Sequence, residues 1–166
     1  MSSSNSGGST TNTTRKASDN SGYFRDFTKL CEDITNEPKH TQKTEILKDF
    51  LQDFTGDWYL LFKLLLPKQD HRVFQLKDKA LIKVMSQVLG TDHDDMLEHL
   101  EKGDASETCR VFLMESGSHS ARSFVTLKQV DDFLDKLTMV RKQNEQVAVF
   151  ERFVVNKLTG KDLKYI

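Results

Sequence analysis

Thr159-Gly160-Lys161-Asp162 is the segment of this chain best equipped to hold an anion. Thr159 suits a helix N-cap, and Asp162, three residues on, completes a capping box. The first turn of a helix presents backbone N–H groups that have no partner within the helix. Gly160 lets a ligand come close to the backbone, and Lys161 adds positive charge, so a phosphate group fits this start. The same residues fit an ordinary capped helix with a solvated lysine equally well.

Chemistry of other kinds finds little support. The histidines are His40, His71, His93, His99 and His119. No two are spaced as a metal pair within a helix, and His93 and His99 fall on different faces. Asp92, Asp94 and Asp95 crowd a helix start, where negative charge is favoured by the helix dipole without any metal. Neither a GxxxxGK[ST] nor a GxGxxG phosphate loop is present. Cys31 and Cys109 are isolated, match no zinc spacing, and fit a reducing compartment. Residue types and spacing alone reach a helical domain with no catalytic constellation.

The elements that must position these residues read as helices throughout. Phe24, Phe27, Leu30, Cys31 and Ile34 form one apolar helical face. After Pro38, Thr41 is expected to cap a second helix bearing Ile46, Leu47, Phe50, Leu51 and Phe54. Asp57 caps a third, Trp58 to Leu66, which is apolar all round except at Lys63 and is therefore expected to be central and covered. Asp78 to Leu89 carries Leu81, Val84, Met85 and Val88 and ends at Gly90. Asp92 opens a helix with Met96, Leu97 and Leu100, and Asp104 or Ser106 opens one with Cys109, Phe112 and Leu113. Thr126 and Gln129 form a capping box before Val130, Phe133, Leu134, Leu137 and Val140. A helix from about Asn144 to Lys157 buries Val147, Phe150, Phe153 and Val154. The expectation is an all-α domain over residues 23–166, preceded by a disordered Ser/Thr/Asn/Gly-rich tail over residues 1–22.

Composition narrows function by exclusion. No stretch of 18 apolar residues is present, so no helical membrane span is expected. The formal net charge of −1 does not mark the whole chain as a nucleic-acid binder. Its distribution is uneven: Asp92 to Glu107 holds seven acids against one lysine, and Arg141 to Ile166 holds six bases against three acids. The basic end is also where a newly started helix stops with an apolar residue, so the chain reads as the front part of something longer.

Phe24-Arg-Asp-Phe27, Lys29-Leu-Cys31, Lys43-Thr44, Asp49-Phe50-Leu51 and Lys63-Leu-Leu-Leu-Pro67 occur in that order. Asp94-Asp95-Met96, Gly103 to Thr108, Arg110-Val-Phe112, Leu127, Val130-Asp131, Phe133-Leu134 and Asp162-Leu163-Lys164 follow. This collinear set resembles the N-terminal DNA-binding domain of ATP-dependent DNA ligases, nearest to the DNA ligase III and poxvirus branch. The resemblance covers residues 23–166, and no single motif within it is diagnostic.

The resemblance implies an all-α bundle that binds nicked duplex DNA in the minor groove for nick sealing in repair or replication. It implies ATP and Mg²⁺ for a full-length ligase, bound by later catalytic domains whose lysine lies in a KxDG motif. This sequence contains no KxDG, so no cofactor and no ligation are expected of this chain alone. The zinc finger of the ligase III form is also missing from the Cys-free leader.

Carried onto this sequence, the DNA-binding candidates are Thr159, Gly160, Lys161 and Lys164, with Lys48 and Gln52 on the second helix. Lys48 and Gln52 also suit a merely solvated face. Lys63 and Arg110 are read as structural, with packed stems and paired charges. The main minor-groove turn of the family falls just past the position of Ile166, which leaves the scaffold and little of the grip. Helices beyond that point are expected to cover Trp58 to Leu66 and Phe150 to Val154, so the isolated residues are expected to aggregate or be molten. The setting implied is nuclear, with a mitochondrial one, or a cytoplasmic one for a viral ligase, as alternatives. The rival reading is a non-catalytic helical interaction module derived from the same fold, with Asp92 to Glu107 as its partner surface.

Overall fold

The computed structural model describes residues 21–166. The expected disordered tail lies outside the described residues as far as residue 20. Nine α-helices occur among the described residues: α1 (Phe24–Asn36), α2 (His40–Asp53), α3 (Trp58–Leu65), α4 (Asp78–Leu89), α5 (His93–Lys102), α6 (Ala105–Glu115), α7 (Leu127–Met139), α8 (Gln143–Val154) and α9 (Gly160–Lys164). A 3-10 turn at Pro67–Gln69 follows α3, and no strand longer than the isolated Tyr23–Thr126 bridge is found among these residues.

Capping chemistry sets most helix starts. Asp57 accepts from the Leu60 backbone N–H at 3.1 Å, and Asp104 from that of Glu107 at 2.9 Å. Asp92 accepts from Asp94 and Asp95 at 2.8 and 3.1 Å, which accounts for the acidic cluster as a helix start. Thr126 and Gln129 complete the capping box of α7. Thr126→Ala should therefore cost about 1 kcal/mol, seen as a lower urea midpoint at unchanged slope. Thr41 is not a cap. The second helix begins at His40, and Thr41 lies inside it, because Lys39 already occupies the extended capping position.

The centre of the fold is α4, packed against α5, α6 and α8. Ile82 and Met85 of α4, Met96 of α5, Leu113 of α6 and Val154 of α8 are fully removed from solvent. Phe150 and Val154 need no further helix to cover them, contrary to the sequence expectation, because α4 does so. On α4 the core face is turned toward Ile82 and Leu89, leaving Leu81 and Val88 half-buried.

Two findings depart further from the sequence reading. Ser21 and Gly22, assigned by composition to the tail, belong to the packed body. The Ser21 carbonyl accepts from Asp57 N–H at 3.0 Å, and the Gly22 carbonyl from Leu127 N–H at 2.9 Å. Buried backbone groups need such partners, and an extended segment can supply them whatever its side chains. Second, α3 is peripheral rather than central. Leu60 and Leu61 face inward, while Trp58, Tyr59 and Phe62 are 45, 73 and 42% exposed. Uniform apolarity hid which side had a neighbour; the outer rings instead form a ladder, Phe50–Phe54–Trp58–Phe62, with centroids 5.7, 5.4 and 6.1 Å apart.

Candidate nucleic-acid interface

The anion-binding candidates on α9 are held in place by hydrogen bonds to neighbouring helices. Thr159 Oγ1 accepts from Asp162 N–H at 3.1 Å, and Asp162 Oδ2 accepts from Thr159 N–H at 3.0 Å. The second carboxylate oxygen of Asp162 accepts from Thr28 Oγ1 of α1 at 3.3 Å. Asp162 is thus buried with its acceptors used, and the box fixes α9 to α1 as well as capping it.

Gly160 is buried against α6. A Cβ there would lie 2.9 Å from Met114 Sδ and 3.3 Å from Arg110 Cγ. The missing side chain therefore lets α9 approach α6; the close approach inferred from sequence is made, and here its partner is a helix. Lys161 Nζ lies 2.8 Å from Glu32 Oε2, and this bond holds the lysine pKa above its ordinary value. Lys164 Nζ lies 3.4 Å from Glu107 Oε2. Glu107 also binds Arg110, whose guanidinium holds the carboxyl below the usual range. Arg110 is thereby a paired structural cation, as is Lys63, 2.7 Å from Asp131.

Lys48 and Gln52 are exposed on α2. That helix packs on α1, which in turn contacts α9. The structure thus gathers Thr159, Gly160, Lys161 and Lys164 on one short helix and leaves Lys48 and Gln52 on a separate one. His99 Nδ1 lies 2.9 Å from Thr108 Oγ1 and ties α5 to α6. No group of three or more His, Cys, Asp or Glu able to hold a metal is found among the described residues.

Sequence reasoning missed two cationic features. Phe124 is 62% exposed, with the guanidinium carbons of Arg25 and Arg122 at 5.6 and 5.3 Å from its ring centre. Arg25 also covers the Tyr23 ring at 4.3 Å. Tyr23 and Arg25 lie about a hundred positions from Arg122 and Phe124, so only the fold brings the two pairs together. The other feature is a groove between α7 and α8 bordered by Lys136, Arg152 and Lys157. For Arg152 and Lys157 its sequence signal was the excess of bases from Arg141 onward; Lys136 gave none.

Known proteins match this chain along nearly the whole described body. The family described as the DNA ligase N terminus covers residues 23–166. DNA ligase 3 of Dictyostelium discoideum is 44% identical over 136 residues, 82% of this chain and 12% of that protein. The DNA ligase of Vaccinia virus (strain Western Reserve) is 35% identical over 145 residues, 86% of this chain and 26% of the relative. That of Fowlpox virus (strain NVSL) is 30% identical over 150 residues, with the same coverage. The chain thus spans between about an eighth and a quarter of the length of these relatives. With the all-helical body and the match running from Tyr23 to Ile166, the chain belongs to the DNA ligase N-terminus family.

Proposed function

We propose that this chain is the DNA-engaging part of an ATP-dependent DNA ligase, holding nicked duplex DNA through the minor groove for nick sealing in repair or replication. The observation that carries this reading is the family match across the entire described body after Gly22. The contacts proposed are phosphate contacts from Lys161 and Lys164 of α9 and from Lys48 and Gln52 on α2; the backbone at Thr159 and Gly160, expected to join them, is engaged by Asp162 and packed on α6. The lysines of α9 are paired but 68 and 43% exposed, and exposed ion pairs are worth little, so a phosphate can displace Glu32 or Glu107. The setting proposed is nuclear.

Adenylyl transfer belongs to catalytic domains of a longer ligase, with its ATP and Mg²⁺. The lysine–aspartate pair of this chain does not fit that chemistry: Asp162 is buried in hydrogen bonds to Thr159 and Thr28, and Lys161 is paired with Glu32. No step of the reaction is assigned to them.

Binding to a fluorescent nicked duplex tests the proposal. Neutralising three phosphates with Lys48, Lys161 and Lys164 should weaken affinity roughly 40-fold between 50 and 200 mM salt. Lys161→Glu with Lys164→Glu should reduce the log–log salt slope by about 2. Salt-independent binding would remove the proposal. A second reading, a helical interaction module that keeps the fold without binding DNA, draws on the pairing of both α9 lysines. A protein partner retained after nuclease treatment, with no duplex binding at 50 mM salt, would favour it.

A further inference from the structure

The groove between α7 and α8 is a different kind of surface from α9. These helices are neighbours joined by residues 140–142. Between them lies a cavity of about 480 Å³ with a floor of Val125, Phe133, Val149 and Phe153. The buried Phe133 stacks beneath Phe153 with ring centres 4.1 Å apart, so Phe153 and the neighbouring Val149 are the accessible part of the floor. Its rim carries Lys136, Arg152 and Lys157, all exposed. The one acid of the lining, Asp132, is already paired with Lys128. Neither Lys136 nor Arg152 has a carboxylate partner among the described residues. This contrasts with the paired cations Lys63, Arg72, Arg110, Lys161 and Lys164.

We infer that this groove docks an acidic amphipathic helix from a protein partner, its apolar face on Val149 and Phe153 and its carboxylates against Lys136, Arg152 and Lys157. Charge complementarity selects the occupant: the unpaired rim is cationic and asks for an anionic partner. The floor separates peptide from nucleic acid, because a phosphate strand would meet the rim but leave the half-exposed Val149 and Phe153 facing water. The inference does not depend on DNA binding by α9.

The experiment is a selection of random 16-residue displayed peptides on the 166-residue chain, counter-selected on the Lys136→Glu/Arg152→Glu variant. Enriched peptides are then measured by fluorescence anisotropy. The result expected is apolar residues at i, i+4 and i+7 with flanking Asp or Glu, and at least tenfold weaker binding to the variant. Unchanged circular dichroism and melting of the variant, whose substituted side chains are exposed, ensure that lost binding is not lost folding. No enrichment over the variant, or enriched peptides without acids, overturns the inference. So does equal loss of nicked-duplex affinity in the variant together with displacement of bound peptide by duplex, which would make the groove part of a DNA surface.

Discussion

Asp131→Ala should lower the stability of the chain by about 3 kcal/mol, the low end of the range for removing one member of a buried ion cluster. In a protein of this size that corresponds to a melting temperature roughly 6–12 °C lower. Asp131 Oδ1 receives Lys63 Nζ at 2.7 Å and Arg72 Nη1 at 2.9 Å. Arg72 also binds Asp70 at 2.6 Å and Asp135 at 3.0 Å. Together they join α3 and the segment after it to α7. Removing the carboxylate leaves the mostly buried Lys63 without its partner beside Arg72, which keeps Asp70 and Asp135, so the expected loss exceeds that of an exposed pair. Lys63→Met combined with Asp131→Leu should recover much of the loss, since it removes the charges from both sides. A loss below 1 kcal/mol for Asp131→Ala would show that the cluster is solvated.

The same cluster sets part of the acid sensitivity. Hydrogen bonds from Arg72 hold the Asp70 carboxyl below its ordinary value. A carboxylate with a lowered folded pKa contributes stability above its unfolded value, near 4, and that contribution is lost as pH falls through the folded value. Unfolding in acid should therefore steepen below about pH 4. Asp70→Asn should flatten the curve in that window.

Gly56→Ala should cost about 3 kcal/mol, the upper end of the usual overpacking range, although Gly56 adopts no left-handed backbone. A Cβ there would stand 2.3 Å from the Ser21 carbonyl oxygen and 2.6 Å from Phe54 Cζ. The nearest atom is backbone and cannot swing aside, so relief requires moving residues 21–22. That movement breaks the bonds from Asp57 N–H to Ser21 and from Leu127 N–H to Gly22. Gly160→Ala is the informative comparison. Its clash is with the end of the flexible Met114 side chain, and it should cost less than 1 kcal/mol. Equal effects in urea melts would contradict the distinction between backbone and side-chain obstruction.

Such measurements need a cooperative melt, and the closed core is a reason to expect one in place of the aggregating or molten behaviour expected from the sequence. The faces of α4, α5, α6 and α8 close on one another through Ile82, Met85, Met96, Leu113 and Val154. Exposure of large rings concentrates on α3 and at Phe124 rather than in the core.

Local chemistry was legible wherever a residue acts on its own neighbours in sequence. Asp57, Asp92, Asp104, Thr126 and Thr159 cap the helices their spacing announced, and Gly90 ends α4 at φ +64°. Lys63 and Arg110 were legible as paired cations, because a charge within an apolar helix needs a partner. Which partner was not legible: Lys63 meets Asp131 across 68 positions, a contact that no local pattern encodes.

The sequence by itself determined the helices, their caps except at Thr41, and the family, because these rest on periodicity, on interactions within four residues and on collinear identity. Only the tertiary structure decided that α3 is peripheral, that Ser21 and Gly22 are packed, and that Gly160 serves a contact with α6. It also brought the cations of α7 and α8 to one groove and left two of them unpaired. The physical reason is common to all four. Burial and charge pairing are properties of surfaces that meet across long sequence separations. A one-dimensional pattern fixes which face of an element is apolar, and the fold decides what, if anything, lies against it.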